Sequence, residues 1–263
     1  MSHPILEFRR RLRTGPPAIG GGISFTDPLV ADCLADIFDF LWVDLEHNPL
    51  SGEALAGHLL AGRGRKKPVL VRTGGSSTGF IKPVLDAGAD GIVVPQVVSV
   101  DEVRSLVADC RFRPVGRRGF GPRITGDYGR RSVEEVVRFA NQNLFVAVMI
   151  ETKEALEQIE AIVAIPGLDS VMIGPMDLSG AIAGLGEVDD PLCVTAHQRI
   201  IAAARQAGLN VGAGMGANMA YARTMIGRGV QWLQVGSDFE YLIHYGKLLR
   251  NSILAEKEQS GST

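Results

Sequence analysis

The chain reads as an α/β protein, a (β/α)8 barrel, with a doubly wound open sheet as the other way to arrange the same alternation. Two observations predict it. Eight short apolar or β-branched runs are spread over 263 residues, and between them lie helical patterns, several opening on Ser or Thr and closing at Gly. A third observation, the polar residues that follow the runs, bears on what the barrel does.

In order, the candidate strands are PAIGGGISF (17–25), FLWVDL (40–45), PVLVR (68–72), GIVVP (91–95), LFVAVMI (144–150), DSVMIG (169–174), NVGAG (210–214) and QWLQVG (231–236). The helical patterns include SGEALAGHLLAG, STGFIKPVLDAG, SVDEVRSLVADC, TKEALEQIEAIVAI and AHQRIIAAARQAG. LDAGADG, RQAGLN and IGRGVQ each carry Gly after a helix and lead into a strand, which marks turns at the end of the barrel away from the site. The stretch 111–130 is too long for an ordinary connection and is expected to be a lid or substrate loop. One domain over residues 1–255 is expected, with a flexible tail at 256–263.

Composition narrows the function. With 46% hydrophobic residues the chain can bury a large core, and a formal charge of −2 with a pI near 6.2 gives no electrostatic footprint for nucleic acid or an anionic membrane. The basic runs Arg9-Arg10-Arg11 and 63–67 read as solvated faces. Cys33, Cys110 and Cys193 are odd in number and lack metal-ligand spacing, as in a reducing cytoplasm. No run of 18 apolar residues occurs, so a cytoplasmic protein is expected.

In a barrel the residues just after each strand converge on one rim. There the sequence places Asp44, Glu46 and His47 after the second strand, Arg72 on the third, Glu151 after the fifth and Asp177 after the sixth. Taken singly, an acid at a strand end is equally a helix cap, His47 a surface residue before a turn proline, and Arg72 a partner for a nearby acid. Their joint occurrence at one rim points to a site. Two carboxylates on adjacent strand ends, without clustered His or Cys, suit a hard divalent ion such as Mg²⁺ or Mn²⁺. Such an ion accepts the two oxygens of a 2-oxo acid and stabilises an enolate at C2, with Arg72 as a fixed cation and His47 as the proton carrier.

WVDLEHNP, the VRT ending the third strand, IKPVLDAGADGIVVPQV, RRGFGPR, VMIET and VMIGPMDLS together resemble the HpcH/HpaI family of metal-dependent pyruvate aldolases, over nearly all of residues 17–240. The resemblance implies a (β/α)8 barrel and a homo-hexamer, a trimer of dimers, with the last helix exchanged between subunits. It implies reversible aldol cleavage of hydroxy-2-oxo acids to pyruvate or hydroxypyruvate and an aldehyde, with Mg²⁺, Mn²⁺ or Co²⁺. By resemblance Glu151 and Asp177 are the metal ligands, His47 the base, Asp86 the acid that raises its basicity, and Arg72 the cation beside the enolate. Gly174, Pro175 and Met176 correspond to the segment that binds the substrate carboxylate, with Asp44 and Glu46 in support. Arg118, Arg123 and Tyr128, with Arg130, are candidates for the aldehyde side. Several family members carry Gln where this chain has Met149, which bears on substrate choice.

Three other readings compete. A Schiff-base aldolase needs a lysine in the mouth, and of Lys66, Lys67, Lys82, Lys153, Lys247 and Lys257 only Lys153 falls near it, in the first turn of a helix. GAGMGAN (212–218) and GSD (236–238) follow the last two strands, where barrels often bind phosphate. That would suit a phosphate-handling isomerase, or an acyl-CoA lyase of the citrate lyase β-type branch. A barrel kept only as a small-molecule binder would have lost His47 or a metal ligand, and neither is lost.

Overall fold

Eight parallel strands close into a barrel in sequence order in the computed structural model, which describes residues 3–260 and side chains over 3–255. The expected tail at 256–263 lies outside the residues whose side chains are described. Helix α1 (Pro4–Thr14) precedes β1 (Ala18–Ile23), α2 (Pro28–Ala35), β2 (Phe40–Asp44), α3 (Gly52–Gly64) and β3 (Val69–Arg72). Then come α4 (Thr78–Ala87), β4 (Gly91–Val94), α5 (Val100–Cys110), α6 (Val133–Asn143) and β5 (Phe145–Ile150). The rest is α7 (Lys153–Glu157), α8 (Ile159–Val163), β6 (Ser170–Ile173), α9 (Pro175–Ile182), α10 (Pro191–Gln206), β7 (Asn210–Met215), α11 (Met219–Arg228), β8 (Trp232–Ser237) and α12 (Asp238–Ser260). All eight sequence-predicted strands are present, and the closed barrel replaces the open-sheet alternative.

Side chains alternate across each strand, so the outward set packs under the helices and the inward set fills the barrel. Inside lie Phe40, Trp42, Leu70, Phe145, Met149, Met172 and Trp232. Such large rings fit because β1 and β7 are glycine-rich: a Cβ on Gly20 would overlap the Phe40 ring, and one on Gly212 the indole of Trp232. Trp232 donates from Nε1 to Ser170 Oγ at 2.9 Å, which satisfies its one polar atom in the buried interior.

The lower end of the barrel is plugged by α1, an element the sequence reading passed over as a charged run. Ile5, Phe8 and Leu12 sit on one face of the helix and are buried against the inner rings, with Phe8 5.3 Å from Phe40 and 5.4 Å from Phe145 between ring centroids. Arg9 is no solvated residue. It donates to the carbonyls of Asn143 and Leu144 and pairs with Asp169 at 2.8 Å, while Arg11 pairs with Asp39 at 2.9 Å. Of the triplet, Arg10 alone fits the solvated reading, paired among the described residues to Glu7 on its own helix. Phe8→Ala leaves a cavity at the plug and is expected to cost about 3–5 kcal/mol, read as a lowered urea midpoint with unchanged slope.

The long 111–130 stretch is not a lid over its own mouth. It follows α5, which runs from the upper rim down, so it joins the lower end, and α6 lies between it and β5. It packs along the second half of α4: Arg118 pairs with Asp86 at 2.9 Å, and Ile124 lies against the turn at Gly88.

Candidate active site

The inward period on β2, β3 and β5 carries Asp44, Arg72 and Glu151 to the upper rim, each two residues beyond a packed apolar side chain, Trp42, Leu70 and Met149. Asp44 and Arg72 are cross-strand partners, and their side chains form a two-pronged pair: Nε to Oδ1 at 2.8 Å and Nη2 to Oδ2 at 2.6 Å. Arg72 Nη1 lies 3.0 Å from Glu46 Oε2. Asp44 also accepts from the backbone N–H of Glu46 and from Asn48 Nδ2, which folds the DLEHN turn over the strand end. Burial alone would lower the Arg72 pKa, but the hydrogen bonds and charge of Asp44, with Glu46 and Glu151, raise it above its ordinary value. The guanidinium stays charged and is fixed in direction.

Glu151 is 2% exposed. Its Oε1 accepts from the backbone N–H of Gln96 at 2.7 Å, and Oε2 lies against Gly174, where any Cβ would overlap it. Gln96 holds a φ of 53°, a left-handed conformation uncommon for a side-chain residue, and this turns its N–H toward the carboxylate. Burial, then the charges of Glu46 and Asp177, push the Glu151 pKa up to about 7. Glu46 is raised too, by burial and by Asp44 and Asp177, with Arg72 and His47 pulling the other way. These couplings bring Asp177, exposed in the first turn of α9, into the same cluster.

Four carboxylates thus surround one guanidinium. The cluster gathers negative charge at the mouth of an otherwise apolar barrel, which a divalent cation would offset. Glu151, cradled against a glycine, and Asp177, open to solvent, could supply two hard oxygen ligands to such an ion, with positions left for water or substrate. Among the described residues no group of three or more His, Cys, Asp or Glu has metal-site geometry, so the donor set fits an ion that keeps most of its shell.

His47 is 64% exposed, with Nε2 3.6 Å from Glu46 Oε2. Asp86 is not its neighbour within the chain. It lies near the end of α4, nine residues past the N-cap Ser77, which is about 13 Å down the barrel wall. Arg118, buried by its pair with Asp86 and stacked 4.6 Å over the Phe112 ring, is an anchor there and not an aldehyde contact in its own chain's mouth. Arg123 and Tyr128 are exposed on the same lower segment. Lys153 is turned out beside Glu157, and Lys67 donates to Phe38 O at the lower rim, so neither supports a Schiff base. The glycines 212–216 serve packing: Ala217 N–H is capped by Glu240 at 3.0 Å, a carboxylate where a phosphate would sit. Gln96 and Asn48, which hold Glu151 and Asp44, are residues that sequence reasoning does not pick out.

Residues 24–245 match the family model described as HpcH/HpaI aldolase/citrate lyase. The chain belongs to that family. It is an enzyme of the aldehyde-lyase class. It is 33% identical over 244 residues to the hydroxypyruvate/pyruvate aldolase of Pseudomonas aeruginosa, covering 92% of this chain and 91% of that one. It is 32% identical over 257 residues to the 4-hydroxy-2-oxo-heptane-1,7-dioate aldolase of Salmonella paratyphi A, with 97% of both covered. A crystal structure of an HpcH/HpaI aldolase/citrate lyase family protein from Burkholderia cenocepacia superposes with a TM-score of 0.86 at 28% identity, over 94% of this chain and 98% of that one.

Proposed function

We propose that the chain catalyses divalent-metal-dependent, reversible aldol cleavage of hydroxy-2-oxo acids to pyruvate or hydroxypyruvate and an aldehyde, with Glu151 and Asp177 as metal ligands and His47 as the base. One observation carries the reading: Asp44, Glu46, Arg72, Glu151 and Asp177 meet at the upper rim with His47 beside them. The relatives' names, hydroxypyruvate/pyruvate aldolase and 4-hydroxy-2-oxo-heptane-1,7-dioate aldolase, support the substrate class.

Glu151 and Asp177 would hold Mg²⁺, Mn²⁺ or Co²⁺, which would supply Lewis-acid polarisation of the keto oxygen of the 2-oxo acid. The substrate carboxylate is bound at Gly174-Pro175-Met176, where the N–H groups of Met176 and Asp177 in the first turn of α9 have no partner in their own helix and the helix dipole favours an anion. Arg72 has five N–H donors; Asp44 takes two of them in hydrogen bonds while Glu46 pairs with Nη1 as a charge, which leaves donors for charge that develops on the keto oxygen. In cleavage His47 takes the C4 hydroxyl proton, the C3–C4 bond breaks, and its electron pair enters the C2–C3 enolate; a proton added at C3 then gives the 2-oxo acid.

Asp86 and the 111–130 loop share one lower face, so they act on His47 and the aldehyde only from a second copy of the chain. α12 supports an oligomer: Leu242, Ile243, Tyr245, Leu248 and Leu249 are all at least half exposed along it, a stripe suited to exchange between subunits of a hexamer. Among the described residues no helix is long and apolar enough to cross a membrane, in keeping with a cytoplasmic enzyme. The test is condensation of pyruvate or hydroxypyruvate with a panel of aldehydes. Chelation should abolish it and Mg²⁺, Mn²⁺ or Co²⁺ restore it; chelator-resistant turnover would defeat the reading.

A further inference from the structure

Inward side chains of a barrel stack in layers drawn from alternate strands. The strand register puts Gly22, Arg72, Met149 and Gly214 in one layer, above Trp42, Val93, Met172 and Gln234. Two of the four upper positions are glycine, so half of that cross-section has no side chain of its own. The amide of Gln234 rises into this space, shared with Gly236 O and Ser237 Oγ on one side and the Met172 methyl on the other: a Cβ on Gly22 would lie 2.6 Å from Gly236 O and 3.0 Å from Gln234 Nε2, and one on Gly214 2.4 Å from Met172 Cε and 3.1 Å from Gln234 Oε1.

The direction of this amide is set. Its Nε2 donates to Gly236 O at 2.6 Å, and a carbonyl there accepts only from the NH2 end. Oε1 therefore faces the β7 side of the opening, where among the described residues it accepts no hydrogen bond. A half-buried acceptor at the floor of a substrate opening calls for a donor. Trp42 fills the barrel below it and the Met172 methyl lies beside it, so the part of a substrate that reaches it is the deeply bound 2-oxo acid half, while the aldehyde enters from the solvent side near His47.

We propose that Gln234 is a specificity-determining residue that selects 2-oxo acids with a hydroxyl on C3, through a hydrogen bond from that hydroxyl to Oε1. The proposal rests on the aldolase reading above and says which donor that site prefers. Pyruvate presents a carboxylate, a keto oxygen and a methyl group, none of them a donor at neutral pH. Hydroxypyruvate adds one hydroxyl at the right carbon.

The test compares kcat/KM for hydroxypyruvate and pyruvate with one common aldehyde at saturating Mn²⁺. The native chain is expected to favour hydroxypyruvate. In Gln234→Leu, which keeps bulk, and Gln234→Ala, which only removes atoms, the hydroxypyruvate-to-pyruvate ratio is expected to fall roughly three- to tenfold, the size of one neutral hydrogen bond. An unchanged ratio, with both donors slowed alike, would reduce Gln234 to a brace for Gly236 and overturn the proposal. The native chain gives a check independent of any variant: 3-fluoropyruvate, similar in size to hydroxypyruvate but with no donor, should bind like pyruvate. Binding as tight as that of hydroxypyruvate would also overturn it. If the native chain turns over neither donor, the aldolase reading itself fails; if it turns over both and only the ratio test fails, the assignment of Gln234 alone falls.

Discussion

Asp177→Ala is expected to abolish turnover and weaken metal binding while the barrel still folds. Asp177 is exposed in the first turn of α9 and accepts no hydrogen bond among the described residues, so its loss would remove the proposed ligand and no packing. Glu151→Gln should be equally inactive for a different reason. The amide can still accept from Gln96 N–H, but the charge that offsets a dication is gone. Loss of Lewis-acid stabilisation worth several kcal/mol corresponds to at least about a thousandfold in rate. The two variants should part in stability. A carboxylate 2% exposed beside Glu46 and Asp177 is costly to bury charged, so metal-free Glu151→Gln should melt no lower than the native chain. Added Mn²⁺ should raise the native melting temperature by mass action and leave both variants where they are. Full activity in either variant, or a native-sized Mn²⁺ shift, would remove the two-carboxylate site.

The strands were legible because parallel strands buried on both faces are short continuous apolar runs, and FLWVD or FVAVMI can hardly be anything else. The rim was legible because a barrel gathers its strand ends; that rule alone found Asp44, Arg72, Glu151 and Asp177. Applied to β4 it would have found Gln96 too, although nothing in a Gln marks the left-handed backbone through which it acts. The failures share a cause. Arg9 and Arg11 hide the helix that plugs the barrel, because the apolar spacing of Ile5, Phe8 and Leu12 is interrupted by charge whose half-buried partners, Asp169 and Asp39, lie far along the chain. The 111–130 stretch was put at the wrong end because α6, with its Ser132 capping box, went unread between it and β5. Gln234 reads as one polar position in a strand; only the glycines on β1 and β7 show that its amide reaches the layer of Arg72 and Met149.

His47→Ala is expected to slow aldol cleavage and the exchange of pyruvate methyl protons with solvent together, by about 10²–10⁴-fold, with metal binding kept. Both reactions pass through one enolate, and an exposed imidazole that is not a ligand can be lost without disturbing Glu151 or Asp177. Exchange at the native rate would confine His47 to the aldehyde side. Asp86→Asn should be milder, since it weakens the base without removing it. Because α4 carries Asp86 to the lower end of its own barrel, any service to His47 crosses between copies, and this can be measured. Mixing the two inactive or impaired variants after dissociation lets a His47 from the Asp86→Asn chain meet an Asp86 from the His47→Ala chain. In a symmetric oligomer with random mixing about a quarter of the sites regain both groups. Activity above the mean of the separate variants is the expected result. If mixing gives only that mean, the Asp86 pair is not shared between copies, and Glu46, 3.6 Å from His47 in the same chain, becomes the acid that sets its basicity.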